Sequence, residues 1–344
     1  MSDPTQFESR KKEHLKIALS PESQTPHLAG FDRVRLAHEA LPDLDFSKVD
    51  ISSTFLKDSL KTPFLVSSMT AGHGDAVALN AMMARVAEAR GWMMGVGSQR
   101  RELFDAAAKA EWREVRKAAP RAVLLGNLGI AQVIQTPVKV IRELVDNLEA
   151  QAFFVHLNPL QECLQPEGNT DFTGSFTALA KLVKEIGVPV VIKETGCGFS
   201  EKTLRRLNET GALAIDVAGT GGTHWGRVEG LRSPNGGLLR QAAETYRDWG
   251  YSTLESLSCA KKQNLKAEIW ASGGVRSGLD AAKLLAMGAQ KVGFAKPVLE
   301  AALKGERDLD ETMARFEFEL KVAMFCSGHG SLQEFQNAGV WEWI

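Results

Sequence analysis

The 344-residue sequence contains no apolar run long enough to cross a membrane and no excess of charge of either sign. A membrane-spanning helix needs about 20 predominantly apolar residues, and a signal peptide needs a shorter apolar core behind a basic end. Neither pattern is present. The 41 basic and 42 acidic residues leave a formal charge of −1, which indicates no global attraction to nucleic acid or anionic membranes. We expect a soluble, cytoplasmic protein with no nucleic-acid partner and no membrane insertion.

Cysteine is also scarce and is not arranged for a metal site or a disulfide framework. The four residues are far apart and form neither a CxxC motif nor a Cys/His metal pattern. This spacing is typical of a reducing compartment. They are Cys163, Cys197, Cys259 and Cys326.

Eight short apolar runs recur along the chain with helical segments between them. This alternation is typical of βα units and of a parallel sheet whose strands are buried on both faces. Eight such strands indicate an α/β fold of the (β/α)8 TIM-barrel type, although a doubly wound sheet would give a similar periodicity. The predicted strands cover residues 63–67, 92–96, 122–127, 152–157, 189–194, 213–217, 268–272 and 291–295.

Helices are predicted between these strands, several beginning with Ser, Thr, Asp or Pro and ending at Gly. We expect a single domain over residues 1–344, with an N-terminal extension at 1–60, the barrel at about 61–305 and C-terminal helices at about 306–344. A polar insert at 219–251 follows the sixth strand, and a connection this long is typical of a lid or binding loop. The clearest predicted helices cover residues 75–90, 137–150, 172–186, 201–210 and 278–287.

The segments GTGGT, SGGVRSG and GFA follow the sixth, seventh and eighth predicted strands. The active site of a barrel lies at the carboxyl ends of its strands, and the loops after strands seven and eight commonly bind phosphate. Glycine lets backbone amides approach a phosphate without obstruction from Cβ. The alternative is that these glycines only form tight turns between strand and helix.

Lys193 ends the apolar run VPVVIK and is predicted to face the barrel mouth. Lysine is seldom buried without a reason. Two chemical roles remain open, a Schiff base or a positive charge beside the N1/O2 edge of a flavin. A purely structural ion pair with Glu194 or Asp216 is the alternative.

The densest polar group, His156, Asn158, Gln161 and Glu162, follows the fourth predicted strand. His156 ends that strand, which favours contact with a ligand over a purely structural, hydrogen-bonded histidine. Gln161 and Glu162 follow a proline and are predicted to lie on a loop. One carboxylate is enough to hold magnesium when the phosphates of a substrate supply other ligands.

A basic run near the amino terminus, SRKKEHLKIAL, is predicted to be helical. Charge runs usually form solvated helix faces, and that remains the alternative here. If the segment folds over the barrel mouth, Arg10, Lys11 and His14 can grip a diphosphate together with Arg100.

Together these segments resemble the type 2 isopentenyl-diphosphate isomerases, an FMN-dependent family distinct from the zinc-containing type 1 enzymes. The resemblance runs from about Arg10 to the carboxyl terminus, and RKKEH at Arg10 together with HLNPLQE at His156 is its specific part. The other matching segments are SSMT at Ser67, GVGSQR at Gly95, NLG at Asn127, KETGCGFS at Lys193, DVAGTGGTHW at Asp216 and SGGVRSGLDAAKLLAMGA at Ser272.

The resemblance implies a role for each matching position. Glu162 matches a magnesium ligand, and Trp225 and Glu229 match positions beside the flavin and a mobile loop. Gln161, Lys193 and His156 match catalytic positions. The implied flavin contacts are Met69, Thr70, Ser98, Asn127, Lys193 and Thr223, with the flavin phosphate at Gly273, Gly274 and Ala295. The implied substrate contacts are Arg10, Lys11, His14, Arg100, His156, Asn158 and Gln161.

The implied chemistry interconverts isopentenyl and dimethylallyl diphosphate by adding a proton at one end of an alkene and removing one at the other. Reduced FMN is expected to act as acid and base through N5, with Lys193 stabilising its anion and Gln161 relaying or positioning a proton. NADPH serves only to reduce the flavin, and Mg²⁺ assists the diphosphate. The family also implies a homo-oligomer, a tetramer or octamer.

Some positions depart from the family, and other functions compete. The family usually has glycine at the position of Ala71 and rarely has a cysteine at the position of Cys197, and the segment 226–251 is less typical. An FMN-dependent 2-hydroxy-acid oxidase is the main alternative, but its HGGR-like turn is replaced by GTGGTHW. An inosine-monophosphate dehydrogenase would need a cysteine after the sixth strand. A silent barrel that only binds flavin or prenyl diphosphate is the third alternative.

Overall fold

The N-terminal extension contains a helix, a short strand and a hairpin. In the computed structural model, residues 4–69 and 76–344 are described, without the side chains of 4–10, 12 and 106. Helix α1 (Pro4–Leu19) comes first, and strand β1 (Val34–Leu36) follows three short 3₁₀ turns. Strands β2 (Ser53–Phe55) and β3 (Asp58–Leu60) form an antiparallel hairpin. Phe55 and Leu60 of this hairpin pack on the inward-facing side chains of the barrel, including Trp270.

Eight parallel strands close the barrel. The eight predicted strands are confirmed, with ends that differ by no more than two residues. Their side chains are almost all buried, because helices cover the outside and side chains fill the inside. The strands are β4 (Phe64–Val66), β5 (Met93–Gly95), β6 (Leu124–Gly129), β7 (Ala152–Leu157), β8 (Val190–Glu194), β9 (Ala214–Asp216), β10 (Glu268–Ala271) and β11 (Lys291–Phe294). They follow one another around the barrel in sequence order, and β11 pairs with β4 to close it.

Helices surround these strands, and the five clearest predictions are confirmed to within three residues at the described ends. None of the helices in the described part of the chain is long and apolar enough to span a membrane. The helices up to the insert are α2 (Ala76–Arg90), α3 (Ala106–Ala118), α4 (Ile130–Gln135), α5 (Val138–Leu148), α6 (Pro159–Leu164), α7 (Ser175–Glu185) and α8 (Glu201–Asn208).

The insert after the sixth barrel strand is in place, but it is largely helical. It contains α9 (Trp225–Arg232) and α10 (Leu238–Thr245). The ring of His224 caps α9 by accepting a hydrogen bond from the backbone N–H of Arg227 at 3.3 Å. Helix α9 packs against both α1 and α6, so the insert joins the N-terminal extension to the loop after the fourth barrel strand.

The chain ends by returning to the extension. Strand β12 (Trp341–Trp343) pairs antiparallel with β1, from Val34 opposite Trp343 to Leu36 opposite Trp341. The sequence did not predict this pairing. The remaining helices are α11 (Thr253–Lys261), α12 (Gly278–Ala286), α13 (Lys296–Lys304), α14 (Glu306–Phe325) and α15 (Leu332–Asn337).

Candidate active site

Polar residues from neighbouring strands lie side by side at the carboxyl end of the barrel. Strand register places Gly129 opposite His156, His156 opposite Lys193 and Lys193 opposite Asp216. Ser272 follows β10, the next strand in the barrel. Of these residues, Lys193 and Ser272 line the cavity at the barrel mouth and form part of its floor.

Lys193 is buried but its charge is balanced. Its Nζ donates hydrogen bonds to Asp216 Oδ2 at 2.7 Å and to Ser272 Oγ at 2.6 Å. Ser272 Oγ in turn donates to Asp216 Oδ1 at 2.9 Å. An ammonium has three N–H donors, so one remains for a ligand in the cavity that Lys193 lines. The ion pair with Asp216 has therefore formed, and it leaves a cationic donor facing the cavity.

Glu194 does not pair with Lys193 and has a structural task instead. Its Oε2 accepts backbone hydrogen bonds from Thr195 and Gly196, both at 2.7 Å, from Gly198 at 3.1 Å and from Cys197. Burial raises the pKa of Glu194 to about 7, against the opposing effect of these donors. The carboxylate thus shapes the loop whose Thr195 and Gly196 line the cavity.

His156 is held as a neutral ring by the side chain of Asn127. Asn127 Nδ2 donates to the carbonyl of Val96 at 3.1 Å, which turns Asn127 Oδ1 toward His156 Nδ1 at 2.9 Å. Nδ1 is therefore the protonated nitrogen, and Nε2 is left as an acceptor. Burial, followed by the charges of Lys11 and Lys193, lowers the pKa of His156 to about 3.

Asn158, Gln161 and Glu162 form a hydrogen-bonded group at the start of α6. Asn158 Nδ2 donates to Gln161 Oε1 and to Glu162 Oε1, both at 3.0 Å. Glu162 Oε2 accepts from the backbone N–H of Asn169 at 2.7 Å. Asn158 Oδ1 is buried and has no hydrogen-bond partner among the described residues. Gln161 and Glu162 lie on a helix and not on the predicted loop, because Pro159 occupies the first helical position, where proline is favourable.

Glu229 of the insert joins this group to α1. Gln161 Nε2 donates to Glu229 Oε1 at 2.9 Å, and Arg232 Nη1 donates to Glu229 Oε2 at 2.5 Å. His14 Nε2 lies 3.0 Å from Glu229 Oε1. Burial alone would raise the pKa of Glu229, but the contacts with His14, Gln161 and Arg232 lower it below its usual value. Glu229 is therefore a carboxylate at neutral pH.

His14 lines the cavity, and its Nε2 is directed at the carboxylate of Glu229. The 3.0 Å between Nε2 and Glu229 Oε1 is an ion-pair distance, so the contact is strongest when the ring is protonated. Burial lowers the pKa of His14, and Glu229 only partly offsets this effect. The ring meets Trp225 edge to face, with centroids 5.4 Å apart.

A cavity of about 640 Å³ lies between α1 and the carboxyl ends of the strands. Two residues missed by the sequence analysis, Ser67 and Ser68, line it with buried hydroxyls that lack a hydrogen-bond partner in the described ranges. Arg276 and Lys296 are further lining residues that were not singled out. The segments SSMT and SGGVRSG contain three of these four residues, and Lys296 directly follows GFA. The predicted residues in its wall are Lys11, His14, Met69, Lys193, Thr223, Trp225, Gly273, Gly274 and Ala295.

Gly273 and Gly274 form a tight turn and also lie in the cavity wall. Their φ values are +95° and +76°, in the region that favours glycine. A Cβ on Gly273 would lie 2.4 Å from the carbonyl oxygen of Gly219, so the loops after the sixth and seventh strands touch here. Both glycines also line the cavity, next to Ala295 at the start of α13.

The remaining predicted residues do not line this cavity as described. Ser98 and Arg100 lie at the 3₁₀ turn Gln99–Leu103, after the second barrel strand. Thr70, like Ala71, lies outside the described residues, as does the side chain of Arg10, whose backbone belongs to α1. The other predicted residues outside the cavity wall are Asn127, His156, Asn158, Gln161, Glu162 and Glu229.

The cavity suits a flavin mononucleotide. Within the described residues, the hydroxyls of Ser67 and Ser68 have no hydrogen-bond partner, and one N–H of Lys193 is not used. These polar groups can bind a ligand. Gly273 and Gly274, which line the same cavity as Ala295 at the start of α13, have no Cβ to keep a phosphate from their backbone N–H groups.

A divalent cation would depend mainly on Glu162. No cluster of three His, Cys, Asp or Glu side chains within residues 4–69 and 76–344 is arranged as a metal site. The unpartnered Asn158 Oδ1 beside Glu162 is a second oxygen of the kind Mg²⁺ prefers. These two residues fit a cation whose other ligands come from a substrate.

The comparisons with known proteins agree with this geometry. Residues 130–342 match the family model for FMN-dependent dehydrogenase. An isopentenyl-diphosphate delta-isomerase of Bdellovibrio bacteriovorus is 53% identical over 340 residues, covering 98% of each chain. The chain belongs to the isopentenyl-diphosphate delta-isomerases. Isomerases of this name from Legionella pneumophila strain Corby and Halobacterium salinarum are 52% and 40% identical, and each comparison covers at least 93% of both chains.

Solved structures share the fold of this isomerase family. The flavin-binding domain of baker's yeast flavocytochrome b2 aligns with a TM-score of 0.69 at 18% identity, covering 99% of this chain and 86% of that one. A Pediococcus acidilactici putative lactate oxidase aligns with a TM-score of 0.66 at 17% identity, covering 98% and 93%. Identities this low show the barrel fold alone.

The neutral state of His156 predicts how stability depends on pH. The pKa of His156 in the folded protein, about 3, lies below the ordinary value of 6.5. Its contribution to stability is therefore present above pH 6.5 and is lost as the pH falls, because the unfolded chain binds the extra proton. The substitution His156→Gln should flatten the fall in the free energy of unfolding below that pH by at most about 1.4 kcal/mol per pH unit.

Urea unfolding of both proteins with FMN at fixed concentration measures this slope. His38→Gln, at an exposed histidine, is the matched control and should keep the wild-type slope. Equal slopes for wild type and His156→Gln would show that His156 is not buried as a neutral ring.

Proposed function

We propose that this protein interconverts isopentenyl diphosphate and dimethylallyl diphosphate, with reduced FMN as acid and base. The observation that carries the proposal is one cavity with a cationic donor, Lys193, in its floor and two diphosphate-binding candidates, Lys11 and His14, in its roof. The membership of the chain in the isomerase family supports the same reaction.

The flavin would be held by residues from several strand ends. When bound and reduced, FMN supplies an acid and base for an unactivated alkene, a reaction that ordinary side chains perform poorly. The spare N–H of Lys193 would bind the ring edge, while Asp216 and Ser272 fix the direction of that donor. The full proposed set is Met69, Thr70, Ser98, Asn127, Lys193, Thr223, Gly273, Gly274 and Ala295.

The substrate diphosphate would lie under α1. Lys11 and His14 face the cavity from successive turns of this helix, and Arg10 and Arg100 complete the proposed diphosphate-binding set. His156 offers only an acceptor at Nε2, so it suits a bound O–H or a cation-bound water better than a free phosphate oxygen.

Gln161 would hold or pass a proton near the alkene. Its Oε1 accepts from Asn158, and one of its two N–H donors is used by Glu229. The amide orientation is therefore fixed, and the second N–H remains for substrate. Because an amide is a weak acid, Gln161 suits positioning and relay better than proton supply.

Mg²⁺ would bind Glu162 together with oxygens of the diphosphate, with Asn158 Oδ1 as a further ligand. NADPH would enter only as the reductant of the flavin, since isomerisation involves no net redox change. We also propose a cytoplasmic location, consistent with four free cysteines, and a homo-oligomer that is a tetramer or octamer.

The 2-hydroxy-acid oxidase alternative lacks a histidine base in the GTGGTHW segment. The ring of His224 is buried, its Nδ1 accepts from the backbone of Arg227, and its Nε2 lies 3.1 Å from the carbonyl oxygen of Trp249. Both nitrogens are used in the structure of the insert, so His224 is not available to remove a substrate proton.

The proposed function is tested by anaerobic incubation with isopentenyl diphosphate and Mg²⁺, with and without dithionite. We expect dimethylallyl diphosphate only after reduction, because the oxidised flavin does not carry the proton needed for transfer. Product analysis by mass spectrometry or NMR measures the result. No product under either condition with flavin still bound would contradict the proposal and favour a flavin oxidoreductase.

A second prediction concerns Gln161. The substitution Gln161→Ala should lower kcat by on the order of 10²-fold, because a group that positions a proton in transfer is lost. Flavin content should remain at the wild-type level, since Gln161 does not line the proposed flavin cavity. Gln333→Ala, at an exposed glutamine of α15, is the control and should keep full activity. Unchanged turnover in Gln161→Ala would remove this residue from the proton path.

A further inference from the structure

A buried carboxylate lies behind the proposed substrate site, at a position with no assigned role. Glu102 belongs to the 3₁₀ turn Gln99–Leu103, which also carries Arg100. Its side chain is 4% exposed, and it does not line the cavity. Buried carboxylates are rare unless they are paired, so its partners indicate its purpose.

Both side-chain partners of Glu102 are amide donors. Gln99 Nε2 donates to Glu102 Oε1 at 2.8 Å, and Asn147 Nδ2 donates to Glu102 Oε2 at 2.9 Å. The orientation of Asn147 is fixed, because its Oδ1 accepts from Arg113 at 2.8 Å and its Nδ2 also donates to the carbonyl of Lys109 at 2.9 Å. The ionised form of Glu102 matches these donors, whereas neither amide N–H₂ could accept a hydrogen bond from a protonated carboxyl.

Gln99 extends this arrangement to the site. Its Nε2 also donates to the carbonyl of Leu144 at 3.1 Å, and its Oε1 accepts from the backbone N–H of Asn127 at 3.0 Å. A Cβ on Gly126 would lie 2.7 Å from that Oε1, so the amide is closely packed. Asn127 then holds His156 through the hydrogen bond to Nδ1.

We propose that Glu102 is a positioning residue that acts through Gln99 and Asn127 to fix His156 as the tautomer with an unprotonated Nε2. The inference rests on the proposed function only in taking His156 and Arg100 as substrate contacts. Glu102 anchors the turn that carries Arg100 and orients the amide that supports Asn127, so one carboxylate aligns both contacts.

The surroundings of Glu102 set its pKa, and this pKa determines the pH of the test. Burial raises the pKa of Glu102 to about 7, whereas Gln99, Asn147 and Lys109 lower it and Glu111 adds to the rise. At pH 8 the carboxylate form predominates, and this is the form that matches both amide donors.

The test is ¹⁵N NMR of the FMN-bound protein labelled at histidine, at pH 8 and without substrate, with the His156 signals assigned from His156→Gln. In wild type we expect a neutral His156 with the proton on Nδ1. In Glu102→Gln the new amide N–H₂ faces another amide donor, so His156 should show a mixture of tautomers. A proton on Nε2 in wild type, or a charged ring, would overturn the proposal whatever the variant does.

Turnover is measured in parallel with reduced protein. Glu102→Gln should lower kcat about tenfold, because a small displacement of a substrate contact slows the reaction. Glu114→Gln, at an exposed glutamate of α3, should match wild type in both measurements. Wild-type tautomer and turnover in Glu102→Gln would contradict the proposal.

A second variant covers the case in which Glu102→Gln does not fold. Gln99→Met keeps similar volume but removes the acceptor for Asn127, and it should give the same mixture of tautomers. If wild type does not isomerise at all, the proposed function fails while the tautomer measurement still decides the role of Glu102.

Discussion

The candidate site depends on one carboxylate with no exposed surface, Glu229. A buried charge is costly unless donors surround it. The donors of Glu229 are Gln161 from α6 and Arg232 from its own helix, and His14 from α1 approaches it closely. These contacts hold together the N-terminal extension, the segment after the fourth barrel strand and the insert. Helix α1 is thereby fixed over the cavity.

A second buried charge lies in the floor of the cavity, and this one is positive. The ammonium of Lys193 is balanced by Asp216, whereas His156 is kept neutral by burial and by the amide of Asn127. A cationic donor in the cavity wall therefore lies one strand away from a neutral acceptor that is outside the wall. Such a site can orient an anionic ring edge and a substrate without containing a strong acid of its own, which matches a reaction whose acid and base belong to the flavin.

The barrel could be predicted because its strands are buried on both faces and read as apolar runs, and the residues just after each run then mark the site. The sequence predicts a loop at Gln161 and Glu162 because the preceding proline is compatible with a turn as well as with the first position of a helix. The pairing of β1 with β12 had no local signal, since Val34 and Trp343 are far apart in sequence. Glu102 and Gln99 were missed because only their partners in space reveal them.

The proposed isomerisation exchanges protons without net transfer of electrons. To test this, the protein is reduced once with a stoichiometric amount of dithionite, under anaerobic conditions in D₂O, and the products per flavin are counted. We expect many molecules of dimethylallyl diphosphate per flavin, with solvent deuterium in the product. One molecule of product per reducing equivalent, or product free of deuterium, would contradict it.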